Sequence, residues 1–439
     1  MRALEISLRE GARSFHVGTL VETKAGETVF AFSPRFVDLG PERPILSLLW
    51  HSVDGDDSTR RRMAYGPDKI GRRGFLPPWF SGLLPEGALR NMVERELGPG
   101  RHGEFTVLTR VGADLPGAVV ASPAADDISL AADQNPDGLI RFSLAGVQMK
   151  FAADLDKDRI TFPAHGRGGA YIAKTTSATV PQIVEAEHAA MTLARVLGIE
   201  TVDFRLATID EVDGVPEQFL RHGQFIFLSR RFDRPGGERL HAEDFAQIAE
   251  ATGDMKYTAG TYETCVNIVK RFSTRPDDDV HQSLRRMVGD VLLGNGDAHL
   301  KNWCFTLGSE GPRLSPAYDI VPHAFWGDNR LALRLAGHYT TDTVSLGRIT
   351  RIANFLKLAP GSASDLVSEM VERAFRLWPK VELPTATGAE VKEFLFRRLE
   401  ELQLVRDVRP TLVPGHAKQT EAAEYDGGNS HREPPSGAE

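Results

Sequence analysis

The sequence predicts an α+β protein made of a small α+β unit, a strand-rich lobe and a helix-rich lobe. With 439 residues, of which 41% are hydrophobic, the chain is long enough to form more than one core. Short alternating stretches such as FHVGTLVET and ETVFAF indicate strands in the first unit. From about residue 241 onward the pattern is mainly helical. A small, polar, proline-containing stretch, 121–138, separates the first unit from the second.

The predicted elements follow in order along the chain. WFSGLLPEGALRNMVERELG predicts a loop leading into a helix, with Pro85 and Glu86 in the first turn and Gly98 just past its end. IRFSLAGVQMKFAADL predicts two strands joined by a tight turn at Gly146, and QIVEAEHAAMTLARVLG predicts a helix that ends at Gly198. The predicted units are an N-terminal domain (1–120), a linker (121–138), a strand-rich lobe (139–228), a helical lobe (229–409) and a disordered tail (410–439).

Composition narrows the classes of function. The net charge of −8 and the pI near 5.9 are unusual for a protein whose main task is to bind nucleic acid, so we expect DNA contact only indirectly or weakly. The two cysteines, Cys265 and Cys304, offer neither a disulfide scaffold nor a cysteine-based zinc site. The N-terminus has no apolar signal region, and no run approaches the roughly 20 residues that span a bilayer. We therefore expect a cytoplasmic protein.

One short loop concentrates the side chains of a phosphoryl-transfer site. Asn295-Gly-Asp297-Ala-His299-Leu-Lys301-Asn302 is followed by a predicted hairpin that ends at Asp319. Such a hairpin would return Asp319 beside Asp297 and Asn302, and hard cations such as Mg²⁺ favour this set of oxygens. In kinases a catalytic Asp accepts the hydroxyl proton, while an Asn five residues later and a second Asp hold metal. The alternative is a set of loop-capping residues and a surface hairpin.

Two residues upstream extend this pattern. Lys174 lies in the apolar strand YIAK, and Glu187 follows on the apolar face of the next predicted helix. Burying that carboxylate alone is costly, so Lys174 is its natural partner, and kinases use such a pair to orient ATP. The alternative is that the two side chains never meet and lie along the surface. The loop Ala145–Lys150 could bring backbone amides close to phosphates, or it is an ordinary hairpin turn.

These segments resemble HipA-family kinases. SLAGVQMK, YIAK, SRRFDR, HAEDFAQ, GNGDAHLKN and SPAYDIVP occur in that family's order, and WFSGLLPEGALR resembles its N-terminal domain. The resemblance covers about residues 10–405 and implies a two-lobed, protein-kinase-like fold preceded by a small domain. It also implies an ATP- and Mg²⁺-dependent serine/threonine kinase acting on a protein, with an aminoacyl-tRNA synthetase as the target of well-known members. A HipB-like helix-turn-helix antitoxin would be the partner.

The resemblance also implies roles for individual residues. Asp297 would be the catalytic base, Asn302 and Asp319 the metal ligands, and Ser143 a site of autophosphorylation. Lys301 would neutralise charge on the transferred phosphoryl group. The nucleotide site would comprise Ala145, Gly146, Val147, Gln148, Met149, Lys150, Lys174, Glu187, Arg230, Arg231, Phe232, His299, Lys301, Asn302, Tyr318 and Asp319.

Two departures from the family pattern bear on nucleotide preference. Met149 replaces an acidic residue common before the loop lysine, and Arg230 stands where a family member carries Glu at the adenine hinge.

Two other functions compete with the protein kinase. A nucleotide-binding co-repressor would show no time-dependent ADP formation. A small-molecule or lipid-headgroup kinase would use the same site and yield no new phosphoprotein.

Overall fold

The computed structural model describes residues 1–124, 150–156, 159–161, 169–176, 179–180, 182–213, 220 and 223–412. The predicted phosphate loop from Ala145 to Met149, its turn at Gly146 and Ser143 lie outside these residues. Within them no helix is both long and apolar enough to cross a membrane.

The N-terminal domain is built on an antiparallel five-stranded sheet in the order β4-β3-β2-β1-β5. Alternate residues of β1 (Leu4, Ile6 and Leu8) are fully buried, because successive side chains of a strand point to opposite faces. The strands are β1 (Arg2–Glu10), β2 (Arg13–Glu22), β3 (Thr28–Phe32), β4 (Ile70–Gly71) and β5 (Val119–Pro123). The helices are α1 (Pro34–Val37), α2 (Asp56–Tyr65), α3 (Pro78–Gly82), α4 (Gly87–Glu96) and α5 (Glu104–Val111).

A second five-stranded sheet forms the strand-rich lobe, in the order β7-β6-β8-β10-β9. Helix α6 (Ile183–Val196) packs on β9 and β10, and its alanine-rich face is buried in the large core shared with the helical lobe. The strands are β6 (Lys150–Asp156), β7 (Arg159–Thr161), β8 (Tyr171–Thr175), β9 (Phe204–Thr208) and β10 (Phe225–Arg230).

The helical lobe carries two small sheets among its helices. The sheets are β11 (Ala242–Asp244) with β12 (Cys304–Gly308) and β13 (Gly311–Leu314), and β14 (Arg330–Leu335) with β15 (His338–Thr340). The helices are α7 (Phe245–Ile248), α8 (Tyr262–Phe272), α9 (Pro276–Leu293), α10 (Leu346–Phe355), α11 (Ser362–Leu377), α12 (Ala386–Arg398) and α13 (Gln403–Leu412). The strand-rich lobe is thus followed by a helix-rich lobe, as predicted.

Element ends differ from the prediction at three places. Strand β5 runs to Pro123 inside the predicted linker, and α13 runs to Leu412, so its last three residues lie inside the predicted tail. Pro85 and Glu86 precede helix α4 rather than lying in its first turn, because the backbone of Glu86 is extended (φ −117°, ψ 169°). Gly98 follows the helix end, as predicted, with a φ of +96°.

The N-terminal domain docks on the helical lobe through buried polar contacts. The carboxylate of Glu243 in β11 accepts hydrogen bonds from Ser47 Oγ (2.5 Å), the Leu48 amide (2.9 Å) and Trp79 Nε1 (2.8 Å). His241 Nε2 contacts the carbonyl of Leu46 at 2.7 Å. Because buried polar groups are costly unless satisfied, these bonds fix the domain beside β11, and hence beside the loop that precedes β12.

Candidate active site

The candidate catalytic loop, residues 295–302, begins where helix α9 ends. We call it the catalytic loop below. Gly294 adopts a left-handed conformation (φ +64°) that terminates the helix and turns the chain. The buried carboxyl of Asp290 then accepts hydrogen bonds from Asn295 Nδ2 (2.8 Å) and the Tyr262 hydroxyl (3.0 Å). Burial raises the pKa of Asp290 to about 7, the two hydrogen bonds lowering it less. The start of the loop is therefore anchored by a group outside the predicted catalytic set.

Asp297 presents its carboxylate at the surface of this loop. Its side chain is 40% exposed, and its Oδ1 accepts a hydrogen bond from the Tyr257 hydroxyl at 3.0 Å. Asn302 Nδ2 donates to the Asp297 carbonyl at 2.7 Å. Because the amide nitrogen of Asn302 is used in this way, its oxygen is the atom left to face a cation. Asp297 and Asn302 thus lie side by side, as their five-residue spacing predicts.

The hairpin β12–β13 returns the chain to the same loop. Tyr318 donates its hydroxyl to the carbonyl of Lys301 at 2.9 Å, and Asp319 follows with a left-handed backbone (φ +60°). Burial lowers the pKa of His299, and the carboxylates of Asp297 and Asp319 both oppose this shift. The hydrogen bond of Tyr318 thus ties the residue before Asp319 to the loop that carries Asp297.

Asp319 is the centre of a chain of ion pairs. Its Oδ2 lies 2.6 Å from Lys150 Nζ and its Oδ1 lies 2.5 Å from Lys174 Nζ. Lys174 also donates to Glu187, a fully buried residue of α6. The meeting of Lys174 and Glu187, which the sequence predicted, is thus observed. Lys150, the last residue of the predicted phosphate loop, reaches the same carboxylate from β6.

The pKa shifts in this cluster follow from burial and the two ammonium groups. Burial raises the pKa of Asp319, but Lys150 and Lys174 outweigh it and hold the pKa well below its ordinary value. Burial raises the pKa of Glu187, and Lys174 offsets only part of that shift. Burial lowers the pKa of Lys174, but Asp319 and Glu187 more than compensate, so the net shift is upward. Asp319 therefore stays ionised, as a metal ligand requires.

The hinge residues are placed differently from one another. Arg230 is exposed, with its guanidinium 3.9 Å from Asp203. Arg231 is buried and directs its guanidinium to Asp233, while its amide donates to Ala170 at 2.9 Å. The side chain of Arg231 is therefore part of the domain packing, because Asp233 also accepts a hydrogen bond from the amide of Gly117. Phe232 stacks on Tyr318, with ring centroids 5.4 Å apart.

Lys301 makes a contact that the sequence did not suggest. Its Nζ lies 2.7 Å from Glu86 Oε1 and donates to the Gly82 carbonyl at 3.2 Å, so the N-terminal domain reaches the catalytic loop. Glu86 Oε2 also binds Lys256 at 2.8 Å. Sequence reasoning missed Glu86, Lys256 and Tyr257 as site residues. For Glu86 the motif WFSGLLPEGALR gave a signal, but GDMKY around the other two gave none.

The side chains of the candidate site are of the kinds that bind Mg²⁺ and a nucleoside triphosphate. No group of three His, Cys, Asp or Glu residues in the described part of the chain could hold a metal by itself. The candidate ligands are instead the oxygens of Asp319 and Asn302, to which phosphate oxygens and water would be added. The ammonium groups of Lys150 and Lys174 lie on the oxygens of Asp319 and neutralise the charge that a bound cation would neutralise. The buried Nδ1 of His299 makes no hydrogen bond of ordinary geometry within the described residues.

Comparison with known proteins identifies the family. The family model for the HipA-like C-terminal domain matches residues 142–378, which is more than half of the chain, and the model for the HipA N-terminal domain matches residues 12–122. The chain belongs to the HipA family. The Sinorhizobium fredii protein named "Putative kinase Y4dM" is 34% identical over 405 residues, covering 89% of this chain and 96% of that protein.

More distant relatives agree with this assignment. The serine/threonine-protein kinase toxin HipA of Shewanella oneidensis is 24% identical over 309 residues, covering 61% of this chain and 68% of that protein. The structure of the Shewanella oneidensis HipA, HipB and operator DNA complex superposes with a TM-score of 0.68 at 20% identity, over 93% of this chain and 99% of that one. The predicted two-lobed, kinase-like fold with a small N-terminal domain is thereby confirmed.

Proposed function

We propose that this HipA-family protein is an ATP- and Mg²⁺-dependent serine/threonine protein kinase of the HipA toxin type. The observation that carries the proposal is that Tyr318, the neighbour of Asp319, binds the carbonyl of Lys301. This hydrogen bond ties the Asp319–Lys174–Glu187 chain of ion pairs to the loop in which Asn302 binds Asp297. Kinase names among the relatives support the reaction class. Serine/threonine specificity rests on the distant Shewanella oneidensis relative.

In the proposed reaction the protein would hold the attacking hydroxyl oxygen and the leaving oxygen of ADP in line with the γ-phosphorus. The substrate hydroxyl gives its proton to Asp297, its oxygen bonds to the γ-phosphorus of ATP, and the bond from that phosphorus to the bridging oxygen of ADP breaks. The Tyr257 hydroxyl orients the carboxylate of Asp297. Lys174 and Lys150 would bind phosphate oxygens, and Asp319 and Asn302 would hold the metal. Mg²⁺ would supply charge neutralisation on the phosphates.

The biological setting is proposed by family resemblance. A HipB-like helix-turn-helix antitoxin would restrain the protein, and DNA would be reached through that partner; the relative in the Shewanella oneidensis complex is bound to HipB and operator DNA. The net charge of −8 accords with DNA contact through a partner. The target would be a cytoplasmic protein, with an aminoacyl-tRNA synthetase as the first candidate. Ser143 would be an autophosphorylation site that hinders ATP binding when modified.

The test uses purified protein with γ-labelled ATP and Mg²⁺. We expect time-dependent ADP formation and label on serine or threonine of protein, and a loss of at least about 100-fold in Asp297→Asn, because positioning and electrostatics supply nearly all of this catalysis. Label transferred only to small molecules would contradict a protein substrate. Nucleotide binding without turnover would contradict the kinase assignment altogether.

A further inference from the structure

Glu86 occupies an unusual place for a helix-capping residue. It is the N-cap of α4, yet its side chain makes no capping hydrogen bond to that helix. It extends instead from the N-terminal domain to the helical lobe, where Oε1 lies 2.7 Å from Lys301 Nζ and Oε2 lies 2.8 Å from Lys256 Nζ. One carboxylate therefore bridges two lysines, one of which belongs to the catalytic loop.

Burial makes this bridge more than a surface ion pair. The side chains of Lys301 and Lys256 are each 7% exposed, and that of Glu86 is 25% exposed. Burial raises the pKa of Glu86, but Lys301 and Lys256 outweigh it and hold the pKa at about 2. The carboxylate is thus charged at any working pH. A charge-assisted bond in a poorly solvated place is stronger and better fixed than an exposed one.

The loop that carries Glu86 is held close to the helical lobe. A Cβ on Gly82 would lie 2.6 Å from Gln247 Cγ, so only glycine permits this approach. Gln247 Nε2 donates to the Trp79 carbonyl at 3.2 Å, and the Gly82 carbonyl accepts from Lys301 at 3.2 Å. Lys301 is therefore fixed at two points, and both belong to the N-terminal domain.

We propose that Glu86 is a positioning residue, supplied by the N-terminal domain, that holds Lys301 in place for phosphoryl transfer. The proposal rests on the proposed kinase function. Glu86 holds the ammonium group of Lys301 in place four residues after Asp297 in the catalytic loop. Fixing that charge in advance favours the transition state, which spreads negative charge over the phosphoryl oxygens. The N-terminal domain then completes the kinase site.

Two other roles for Glu86 predict different kinetics. A purely structural ion pair would stabilise domain docking and leave kcat unchanged in a folded variant. A restraining contact, which keeps Lys301 away from the phosphates, would raise kcat when removed. The sign of the change in kcat therefore separates positioning from both alternatives.

The first experiment measures ADP formation by the full-length protein at saturating Mg²⁺ and ATP. Glu86→Gln keeps the shape of the side chain and removes its charge, and we expect kcat to fall by about tenfold with the KM for ATP within about twofold. Glu86→Asp should recover part of the loss. The matched control is Glu94→Gln in helix α4. The carboxylate of Glu94 pairs with Arg90 at 2.6 Å, and its substitution should not change kcat. An unchanged or raised kcat in folded Glu86→Gln overturns the proposal.

A double-mutant cycle tests whether Glu86 acts through Lys301. In a Lys301→Met background, Glu86→Gln should change the residual kcat by less than about twofold, because the positioned group is gone. An equal loss in both backgrounds would show that Glu86 acts elsewhere and overturn the proposal. Thermal unfolding of each variant identifies losses of kcat that come from unfolding.

Amine acetylation followed by peptide mass spectrometry gives a readout independent of turnover. Lys301 should react slowly in the wild type relative to the exposed Lys380, and several-fold faster in Glu86→Gln. An unchanged rate at Lys301 would overturn the positioning contact. If the wild type shows no turnover, the proposed function fails and the role in catalysis fails with it. The acetylation rates then still decide whether Glu86 holds Lys301.

Discussion

The candidate active site and the domain interface both bury carboxylates, but the groups that bind these carboxylates differ. Asp319 and Glu187 in the active site are bound by the ammonium groups of Lys150 and Lys174. Within the described part of the chain, Glu243 at the interface accepts hydrogen bonds from neutral donors only, namely Ser47, Leu48 and Trp79. Burial raises the pKa of Glu243 to about 7, whereas the pKa of Asp319 is held well below its ordinary value despite burial.

We expect this difference to separate a carboxyl that holds an interface from one that holds a metal ion, the role proposed for Asp319. The three neutral donors satisfy the hydrogen-bonding capacity of the Glu243 carboxyl without a cation. Protonation of this carboxyl near neutral pH therefore costs little free energy, which suits a fixed interface. Ammonium partners keep Asp319 ionised, and in the proposed kinase they would bind phosphate oxygens once a cation takes their place on Asp319. We therefore expect substitutions around Asp319 to change turnover and substitutions around Glu243 to change the stability of the fold.

The largest effect is expected from Lys174→Met. Removing this ammonium leaves the buried Glu187 unpaired, so we expect a stability loss of about 3 kcal/mol and a loss of turnover of at least about 100-fold. Denaturant unfolding and ADP formation measure the two. The control is Lys69→Met, because Lys69 donates to the carbonyls of Met63 and Ala64 in the N-terminal domain and should leave turnover unchanged. Equal losses in both variants would contradict the distinction.

A smaller effect is expected from Tyr257→Phe. The change removes the hydroxyl that orients the Asp297 carboxylate, so kcat should fall by roughly tenfold while stability changes by no more than about 1 kcal/mol. Tyr262→Phe is the matched control, since its hydroxyl binds the structural Asp290. That variant should lose stability and keep kcat within about twofold. The reverse pattern would contradict the assignment of Asp297 as base.

Glu243→Gln should change the pH dependence of stability without changing kcat. The pKa of Glu243 is raised from 4.5 to about 7 by burial, so the folded state binds this proton more tightly than the unfolded state. Its contribution to stability is fully present below pH 4.5 and is lost as the pH rises through 7. The stability of the wild type relative to Glu243→Gln should therefore fall by about 3 kcal/mol between pH 4.5 and 8. Thermal unfolding across this pH range measures the difference in stability between the two proteins. A difference that does not change with pH would contradict the raised pKa of Glu243.

The smallest effect is expected from Arg230→Ala. Its guanidinium is exposed and 3.9 Å from Asp203, and surface pairs of this kind contribute roughly 0–1 kcal/mol. The KM for ATP should change by less than about twofold, although the residue departs from the family pattern. A tenfold rise in KM would assign the guanidinium a direct contact with the nucleotide.

Local patterns in the sequence were sufficient to predict much of the site. The spacing of Asp297 and Asn302 and the hairpin before Asp319 are short-range features, and the apolar face around Glu187 required a cation that Lys174 supplied. The predicted order of a strand-rich lobe and a helical lobe followed from periodicity and agrees with the structure.

The contacts between domains could not be predicted in the same way. Glu86 and Lys301 are separated by 215 residues of chain, and no periodicity relates them. Arg231 lies in a motif that suggested a hinge, yet its guanidinium binds Asp233 in the packed interface. Tyr257 reaches Asp297 from a short turn whose sequence carries no catalytic signature. Such contacts depend on how separate units dock, which local patterns do not encode.

The most direct test asks whether Asp297 and Asp319 belong to one nucleotide site. It measures turnover, and ATP binding with and without Mg²⁺, in the wild type, Asp297→Asn and Asp319→Asn. If Asp297 and Asp319 serve one nucleotide, Mg²⁺ should strengthen ATP binding in the wild type and in Asp297→Asn, but not in Asp319→Asn. Only the wild type should turn ATP over at an appreciable rate. Full turnover by Asp297→Asn, or an undiminished Mg²⁺ effect in Asp319→Asn, would contradict the account.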